Sequence, residues 1–211
     1  MTQGDQIRAE QTRAAWARIE AWLKNHAPRN YAALPPSCTE EEIRVHEARL
    51  GTGLPADVRA FYLLRNGTGH EDEFDGPEPK SMGPRRDAEW ERWEPLAPCC
   101  YFLPEDTGIH PLQTRYYLDF HGLEEHAHLK YLPLLSTGED GLFGSFVDLT
   151  PGSATYGQLG YYSRYDAPKM RAQTLAEYLT GIADAFDQGR GWPDGDFGPS
   201  PVVRGRLDWD S

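Results

Sequence analysis

The first part of the chain carries apolar residues at helical spacing. In residues 5–26 they recur at steps of three and four: Ala15, Trp16, Ile19, Trp22 and Leu23. Arg18, Glu20 and Lys24 lie between them and face outward in this arrangement. The pattern predicts an amphipathic helix, which Pro28 is expected to stop.

Two shorter helices are predicted to follow. Thr39 and Glu42 form a capping box, which indicates a helix over about 40–50 that Gly51 to Gly53 end. Its predicted buried stripe is thin: Ile43, Ala48 and Leu50. Pro55 is expected to begin a third helix, and Asn66-Gly67 to close it as a left-handed cap. The apolar residues of this helix are Val58, Phe61, Tyr62 and Leu64.

After about residue 96 the pattern becomes typical of strands and turns. The predicted strands are Cys99 to Leu103, Tyr116 to Phe120, Lys130 to Ser136, Leu142 to Leu149 and Gly157 to Tyr162. Gly138 and Gly141 allow the third and fourth of them to form a hairpin. Thr174 and Glu177 form another capping box, which predicts a helix to about 187.

These elements predict an α+β fold, in which N-terminal helices and a late C-terminal helix pack on an antiparallel sheet. We expect one domain over 1–187 and a Gly/Pro/Asp-rich tail over 188–211. Residues 68–95 are rich in Gly, Pro, Glu and Asp and are predicted to be a long loop. A short helix within 121–129 is a further prediction.

The composition of the chain indicates its expected cellular location and the kinds of partner it can bind. The formal net charge of -12 repels polyanions and favours basic partners, so nucleic acid is not an expected ligand; the same charge also keeps a protein soluble. The longest apolar runs are too short to cross a bilayer, and the N-terminus lacks the pattern of a signal peptide. Three cysteines, Cys38, Cys99 and Cys100, provide no disulfide framework. The expected location is the cytoplasm.

Enzyme motifs are missing from the sequence. It contains no phosphate-binding loop, no complete dinucleotide fingerprint and no G-x-S-x-G elbow. The nearest approach to a metal site is the cluster of His121, His126 and His128. On a helix, His126 lies about 100° from the position that an inverted zinc motif requires, whereas on a strand it shares a face with His128. We therefore expect no catalytic residue and no cofactor, with a metal-dependent hydrolase at these histidines as an alternative.

The strongest candidate for a binding site is an acidic segment that also contains aromatic residues. It comprises Glu71, Asp72, Glu73, Phe74 and Asp75, with Glu78, Trp90 and Trp93 further along. Carboxylates attract a basic partner during encounter, and a few aromatic anchors can supply most of the contact energy. The other interpretation is a disordered acidic loop without a partner.

Several motifs together resemble a known family. They are W-A-R-I-E-A-W-L at 16–23, E-E-I-R-V-H-E-A-R-L-G at 41–51, L-P-A-D-V-R-A-F-Y-L-L-R-N-G at 54–67, P-L-L-S-T-G-E-D-G at 133–141 and T-L-A-E-Y-L-T-G-I-A at 174–183. Their order is similar to that in the SUKH superfamily, in particular the branch of the fungal killer-toxin-resistance and cell-wall assembly regulator. The resemblance covers roughly 12–187 and departs from the family in the long 68–95 segment and the tail.

The resemblance implies a non-enzymatic α+β binding domain without a cofactor. Bacterial members are often immunity proteins that neutralise a toxin, commonly a nuclease or deaminase domain, and the fungal member is a signalling scaffold. The expected function is therefore binding of a protein partner, such as a basic toxin domain, through the acidic segment. A scaffold or regulator without a toxin partner is the alternative.

Overall fold

The structure is a computed structural model that describes residues 2–68, 107–109, 112, 129–137, 143–163 and 167–189. Within these residues four helices precede five strands, and a fifth helix follows them. The helices are α1 (Gln3–His26), α2 (Pro28–Ala32), α3 (Glu40–Leu50), α4 (Ala56–Tyr62) and α5 (Leu175–Gln188). The strands are β1 (Thr107–Ile109), β2 (Tyr131–Thr137), β3 (Phe143–Asp148), β4 (Gln158–Ser163) and β5 (Lys169–Thr174).

The strands form one sheet in the order β1-β2-β3-β4-β5, and every neighbouring pair is antiparallel. Val147 of β3 lies opposite Leu159 of β4, and both belong to the core that the sheet shares with the helices. The α+β prediction is confirmed, with N-terminal helices, an antiparallel sheet and a C-terminal helix.

Helix α1 is the centre of the helical layer because it packs against both α4 and α5. Trp16 of α1 meets Phe61 of α4 edge to face, with ring centroids 5.0 Å apart. On the other side, Trp22 stacks on Phe186 of α5 at 4.3 Å. Aromatic pairs in these geometries add to the free energy of area burial, so α1 holds the two other helices in fixed positions.

The opposite face of the sheet has its own small aromatic cluster. Tyr131, Phe146 and Tyr162 are buried there, and the rings of Tyr131 and Phe146 stack at 4.1 Å. The Phe146 ring lies over Gly160, where a Cβ would come within 2.1 Å of its Cζ. Only glycine at this position leaves room for the ring.

Three helix predictions are confirmed closely. The predicted helices over 5–26, about 40–50 and 174 to about 187 correspond to α1, α3 and α5. The capping boxes of Thr39 and Thr174 are both formed, and Gly51 ends α3 with a φ of 70°. α1 ends before Pro28 as expected, but Pro28 then begins the short helix α2, because proline fits the first turn of a helix.

Two details of the predicted helices are wrong. Ala48 is exposed and His46 is buried instead, because steps of three and four from Ile43 lead to positions 46 and 50, not to 48. α4 ends at Tyr62 without a left-handed cap. Gly67 does have a positive φ of 88°, but Asn66 accepts a hydrogen bond from Leu112 N at 2.7 Å and does not cap the helix.

Three of the five predicted strands are found as β2, β3 and β4. The sequence did not predict β1 or β5, which are short or mostly polar. The other two predicted strands, Cys99 to Leu103 and Tyr116 to Phe120, lie outside the described residues. The same is true of the helix expected within 121–129, apart from its last residue, Leu129, which packs against the aromatic cluster. The division into a domain over 1–187 and a tail stays a prediction.

Candidate functional site

A cleft of about 320 Å³ lies between the N-terminal half of α1 and α4. Its charged lining residues are Asp5, Arg8, Arg13 and Arg59. The apolar part of its wall consists of Ala9, Leu54, Pro55, Ala56, Ala60 and Leu63, and Tyr156 completes it from the turn between β3 and β4. The cleft therefore combines three guanidinium groups with an apolar surface.

The three arginines differ in how they are held. Arg8 forms an ion pair with Asp5 at 2.7 Å. Arg59 contacts Glu40 and lies 3.7 Å from Glu47 Oε1. Arg13 is exposed and makes no hydrogen bond or ion pair with any residue that the structure describes. Arg13 is thus the cation of the cleft that can bind a new anion without giving up a described partner.

Asp5, which lines the cleft, is held as an anion. Its carboxylate accepts a hydrogen bond from the Thr2 backbone N–H at 2.8 Å and binds Arg8. These interactions, the one with Thr2 first, lower the pKa of Asp5 to about 2. Asp5 therefore stays charged at every physiological pH, and it offsets one of the three arginine charges.

Tyr156 forms a fixed wall of the cleft. Its hydroxyl donates to Gly53 O at 2.8 Å, and burial raises the pKa of this phenol. The next residue, Gly157, has a φ of 82°, and a Cβ there would contact Pro55 at 3.4 Å and Arg8 Nη1 at 3.5 Å. The turn thus lies directly against α4 and α1, and glycine makes this close approach possible.

Asp57 lies buried next to this region and joins two helices. It is fully buried, and its Oδ2 accepts a hydrogen bond from Ala176 N, in the first turn of α5, at 3.3 Å. Its Oδ1 has no hydrogen-bond partner among the described residues. Burial raises the pKa of Asp57, while the hydrogen bond from Ala176 acts in the opposite direction. We interpret Asp57 as a structural residue that connects α4 with α5.

Asp148 is a second buried carboxylate with a structural role. It accepts hydrogen bonds from Thr150 N at 2.8 Å, Ser153 Oγ at 2.7 Å and Thr155 Oγ1 at 2.6 Å. Burial alone would raise its pKa, but the hydrogen bonds, that from Thr155 first, outweigh burial and lower the pKa. Both oxygens are engaged, so Asp148 fixes the turn that carries Tyr156.

The site residues predicted from the sequence cannot be compared with this cleft. The acidic segment of Glu71, Asp72, Glu73, Phe74 and Asp75 lies outside the described residues, as do Trp90 and Trp93. The same is true of His121, His126 and His128. Among the residues that are described, no group of three or more His, Cys, Asp or Glu side chains is arranged to hold a metal ion.

Sequence reasoning missed the cleft because its residues come from three separate parts of the chain. Arg8 and Arg13 belong to α1, Arg59 to α4 and Tyr156 to a turn nearly one hundred residues later. One signal was present in the sequence, namely a charged residue within the apolar stripe of α1. Arg8 lies between Ala15 and Ile19 in its direction around the helix axis, whereas Arg13 lies about 140° from Arg8, just outside the stripe.

The described part of the molecule defines an α+β domain whose buried carboxylates are engaged in structure and whose concave surface is lined by arginines. The sequence profile of the SMI1/KNR4 family (SUKH-1) matches residues 37–181, and the chain belongs to this family. The match includes α3, α4, the whole sheet and the first half of α5, while α1 lies outside it. No curated protein matches the chain.

Family membership confirms the resemblance seen in the sequence. SUKH proteins are generally non-enzymatic domains of the immunity or regulatory kind, and they typically interact with other proteins. Among the described residues, no helix is both long and apolar enough to cross a membrane.

Proposed function

We propose that the chain is a cytoplasmic immunity protein that binds and neutralises a basic toxin domain, such as a nuclease or a deaminase. The observation that carries this proposal is the SUKH-1 match over 37–181, which covers most of the chain. The net charge of -12 supports a basic partner, because a strongly acidic protein accelerates encounter with positive surfaces. Neutralisation by binding requires no catalytic residue in the immunity protein.

The acidic segment is the proposed contact with the toxin. Glu71, Asp72, Glu73 and Asp75 supply negative charge, and Phe74, Trp90 and Trp93 supply aromatic anchors. Nucleic-acid-processing enzymes need basic surfaces to bind their substrate, so a cluster of carboxylates is complementary to their active sites. Aromatic anchors then lower the dissociation rate once the charges have met.

The last described residue before the acidic segment is held firmly in the fold. Thr68, three positions before Glu71, is fully buried. Thr68 N donates to Ile109 O at 2.9 Å, and Thr68 Oγ1 accepts from Ile109 N at 2.9 Å. The described chain before the acidic segment is therefore fixed to strand β1 at Thr68.

Binding to a panel of purified basic nuclease and deaminase toxin domains tests the proposal. The wild-type chain is expected to bind a member of the panel with an affinity that falls as salt rises, because exposed charges are screened. Asp72→Lys should weaken this binding by about tenfold, through loss of attraction and added repulsion. Trp90→Ala and Trp93→Ala should increase the dissociation rate.

Glu10→Lys is the matched control. Glu10 is an exposed carboxylate on α1 outside the acidic segment, so its reversal changes the net charge by the same amount as Asp72→Lys. Equal losses of affinity in the two variants would show that only the overall charge matters. Absence of salt-sensitive binding across the whole panel would argue against a basic toxin as the partner.

A further inference from the structure

The arginine-lined cleft has a local charge opposite to that of the whole protein. The chain carries 33 acidic and 21 basic residues, yet the charged residues that line the cleft are three arginines and one aspartate. Acidic side chains from elsewhere, Glu40 and Glu47, hold Arg59 in place but do not line the cleft. The net charge of the whole protein attracts basic partners, whereas the cleft itself suits an acidic one.

The chemistry of the cleft favours a carboxylate. A guanidinium group presents several N–H donors in a plane that matches the two oxygens of a carboxylate. Arg13 has no described partner, and Arg8 uses Nη2 for Asp5, while its Nη1 lies beside the Gly157 turn. N–H donors of both Arg8 and Arg13 thus remain for a ligand in the cleft.

The remaining wall of the cleft is apolar and rigid. Leu54 and Pro55 are buried at the start of α4, and Tyr156 is fixed by its hydrogen bond to Gly53. The volume of about 320 Å³ is at the lower end of the range of about 300–1,000 Å³ typical of ligand pockets. It suits one or two side chains of a polypeptide better than an extended cofactor.

We propose that this cleft is a second binding site, separate from the acidic segment, that takes an acidic side chain and a neighbouring apolar side chain of a partner polypeptide. The carboxylate binds Arg13 with support from Arg8, and the apolar side chain packs on Leu54, Pro55 and Tyr156. The site gives the protein a contact with an acidic polypeptide in addition to the basic toxin proposed above.

Selection from a random peptide library displayed on phage tests this proposal on the full chain. The net charge of -12 by itself selects basic peptides. The cleft predicts an additional class of peptides, in which Asp or Glu lies next to a large apolar residue. A fluorescent peptide of this class is then titrated against wild type, Arg13→Glu and the matched control Arg44→Glu, an exposed arginine of α3 outside the cleft.

The expected result is that Arg13→Glu weakens binding of the acidic peptide by about three- to tenfold, whereas Arg44→Glu changes it less than about twofold. Arg13 and Arg44 are both exposed, and the solvent-exposed ion pair between Arg44 and Glu41 contributes little to stability. Both variants should therefore unfold close to the wild-type temperature, which circular dichroism verifies. Selection of basic peptides alone overturns the proposal, as does equal weakening in the two variants. Displacement of the peptide by equimolar inorganic phosphate also overturns it, in favour of a site for a small anion. None of these results depends on whether a toxin binds the acidic segment.

Discussion

Replacement of the buried carboxyl group of Asp57 tests how α4 and α5 are joined. Asp57→Asn keeps an oxygen that can accept the hydrogen bond from Ala176 N, which lies 3.3 Å from Oδ2 in the wild-type chain, and removes the negative charge. Asp57→Ala removes both the acceptor and the charge. The two variants therefore separate the contribution of the hydrogen bond from the cost of burying a charge.

The sign of the pH dependence follows from the raised pKa. Burial raises the pKa of Asp57 above its ordinary value of 3.8, so the folded state holds the proton more tightly than the unfolded state does. Its contribution to stability is complete below 3.8 and is lost as pH rises through the folded pKa. The replacement amide carries no charge at any pH, so Asp57→Asn should become more stable relative to wild type as pH rises.

Asp57→Ala should behave differently. It leaves the Ala176 N–H without its acceptor in a buried position, and an unsatisfied buried donor costs about 1–3 kcal/mol. The NH2 of the asparagine lies where Oδ1 has no described partner, which offsets part of this difference. We therefore expect Asp57→Ala to be less stable than Asp57→Asn by about 1 kcal/mol at every pH. Relative to wild type, its loss should be largest in acid, where wild-type Asp57 is neutral.

Urea unfolding followed by circular dichroism, at about pH 5 and about pH 8, measures these differences by linear extrapolation. Comparison of each variant with wild type at the same pH cancels the contribution of all other titrating groups. The reasoning is refuted if Asp57→Asn loses as much stability as Asp57→Ala at the higher pH. That result would mean that the charge itself, through its attraction to the N-terminus of α5, stabilises the fold.

Further predictions concern three other positions. Asp148→Asn should lower the free energy of unfolding in urea by about 2 kcal/mol near neutral pH, because an amide cannot accept all three hydrogen bonds. Since the pKa of Asp148 is lowered in the folded state, this loss should shrink as pH falls through the folded pKa. A loss that stays constant with pH would contradict the prediction. Gly160→Ala should lower the free energy of unfolding, measured by thermal denaturation, by about 1–3 kcal/mol, because the new Cβ would overlap the Phe146 ring. In the control Gly53→Ala, the new Cβ would meet only Glu47 Oε1 at 3.9 Å. This control should change the free energy of unfolding by less than about 0.5 kcal/mol. Burial raises the pKa of the Cys38 thiol to about 11, and only the thiolate form reacts with alkylating reagents. Treatment with such a reagent at about pH 8, followed by mass spectrometry of the peptides, should therefore find Cys38 unlabelled until urea unfolds the protein.

Local signals allowed much of the fold to be predicted from the sequence. The capping boxes at Thr39 and Thr174 depend only on residues three positions apart, and the apolar stripe of α1 is a regular pattern. β1 and β5 were not predicted. β1 has only three residues, too few to show a periodic pattern, and β5 contains polar residues such as Lys169 and Gln173. Their place is set by pairing with β2 and β4.

The candidate binding sites were harder to predict from the sequence than the fold. Local sequence shows where charge is concentrated, as in the segment from Glu71 to Asp75. It does not show which side chains meet from distant elements, as Arg8, Arg59 and Tyr156 do in the cleft. Asp57 belongs to the L-P-A-D motif that identified the family, but its contact with Ala176 spans 119 positions. Such long-range contacts depend on the packing of whole elements.

The most direct test of the proposed function is the growth of cells that express a basic toxin domain bound by this chain. Co-expression of the wild-type chain should restore growth, Glu10→Lys should restore it equally, and Asp72→Lys should restore it poorly. Equal amounts of the three proteins in the cell, measured by immunoblotting, are required for the comparison. If the wild-type chain binds the toxin but the cells still die, the chain is not an immunity protein for it, and the account of neutralisation by binding is wrong.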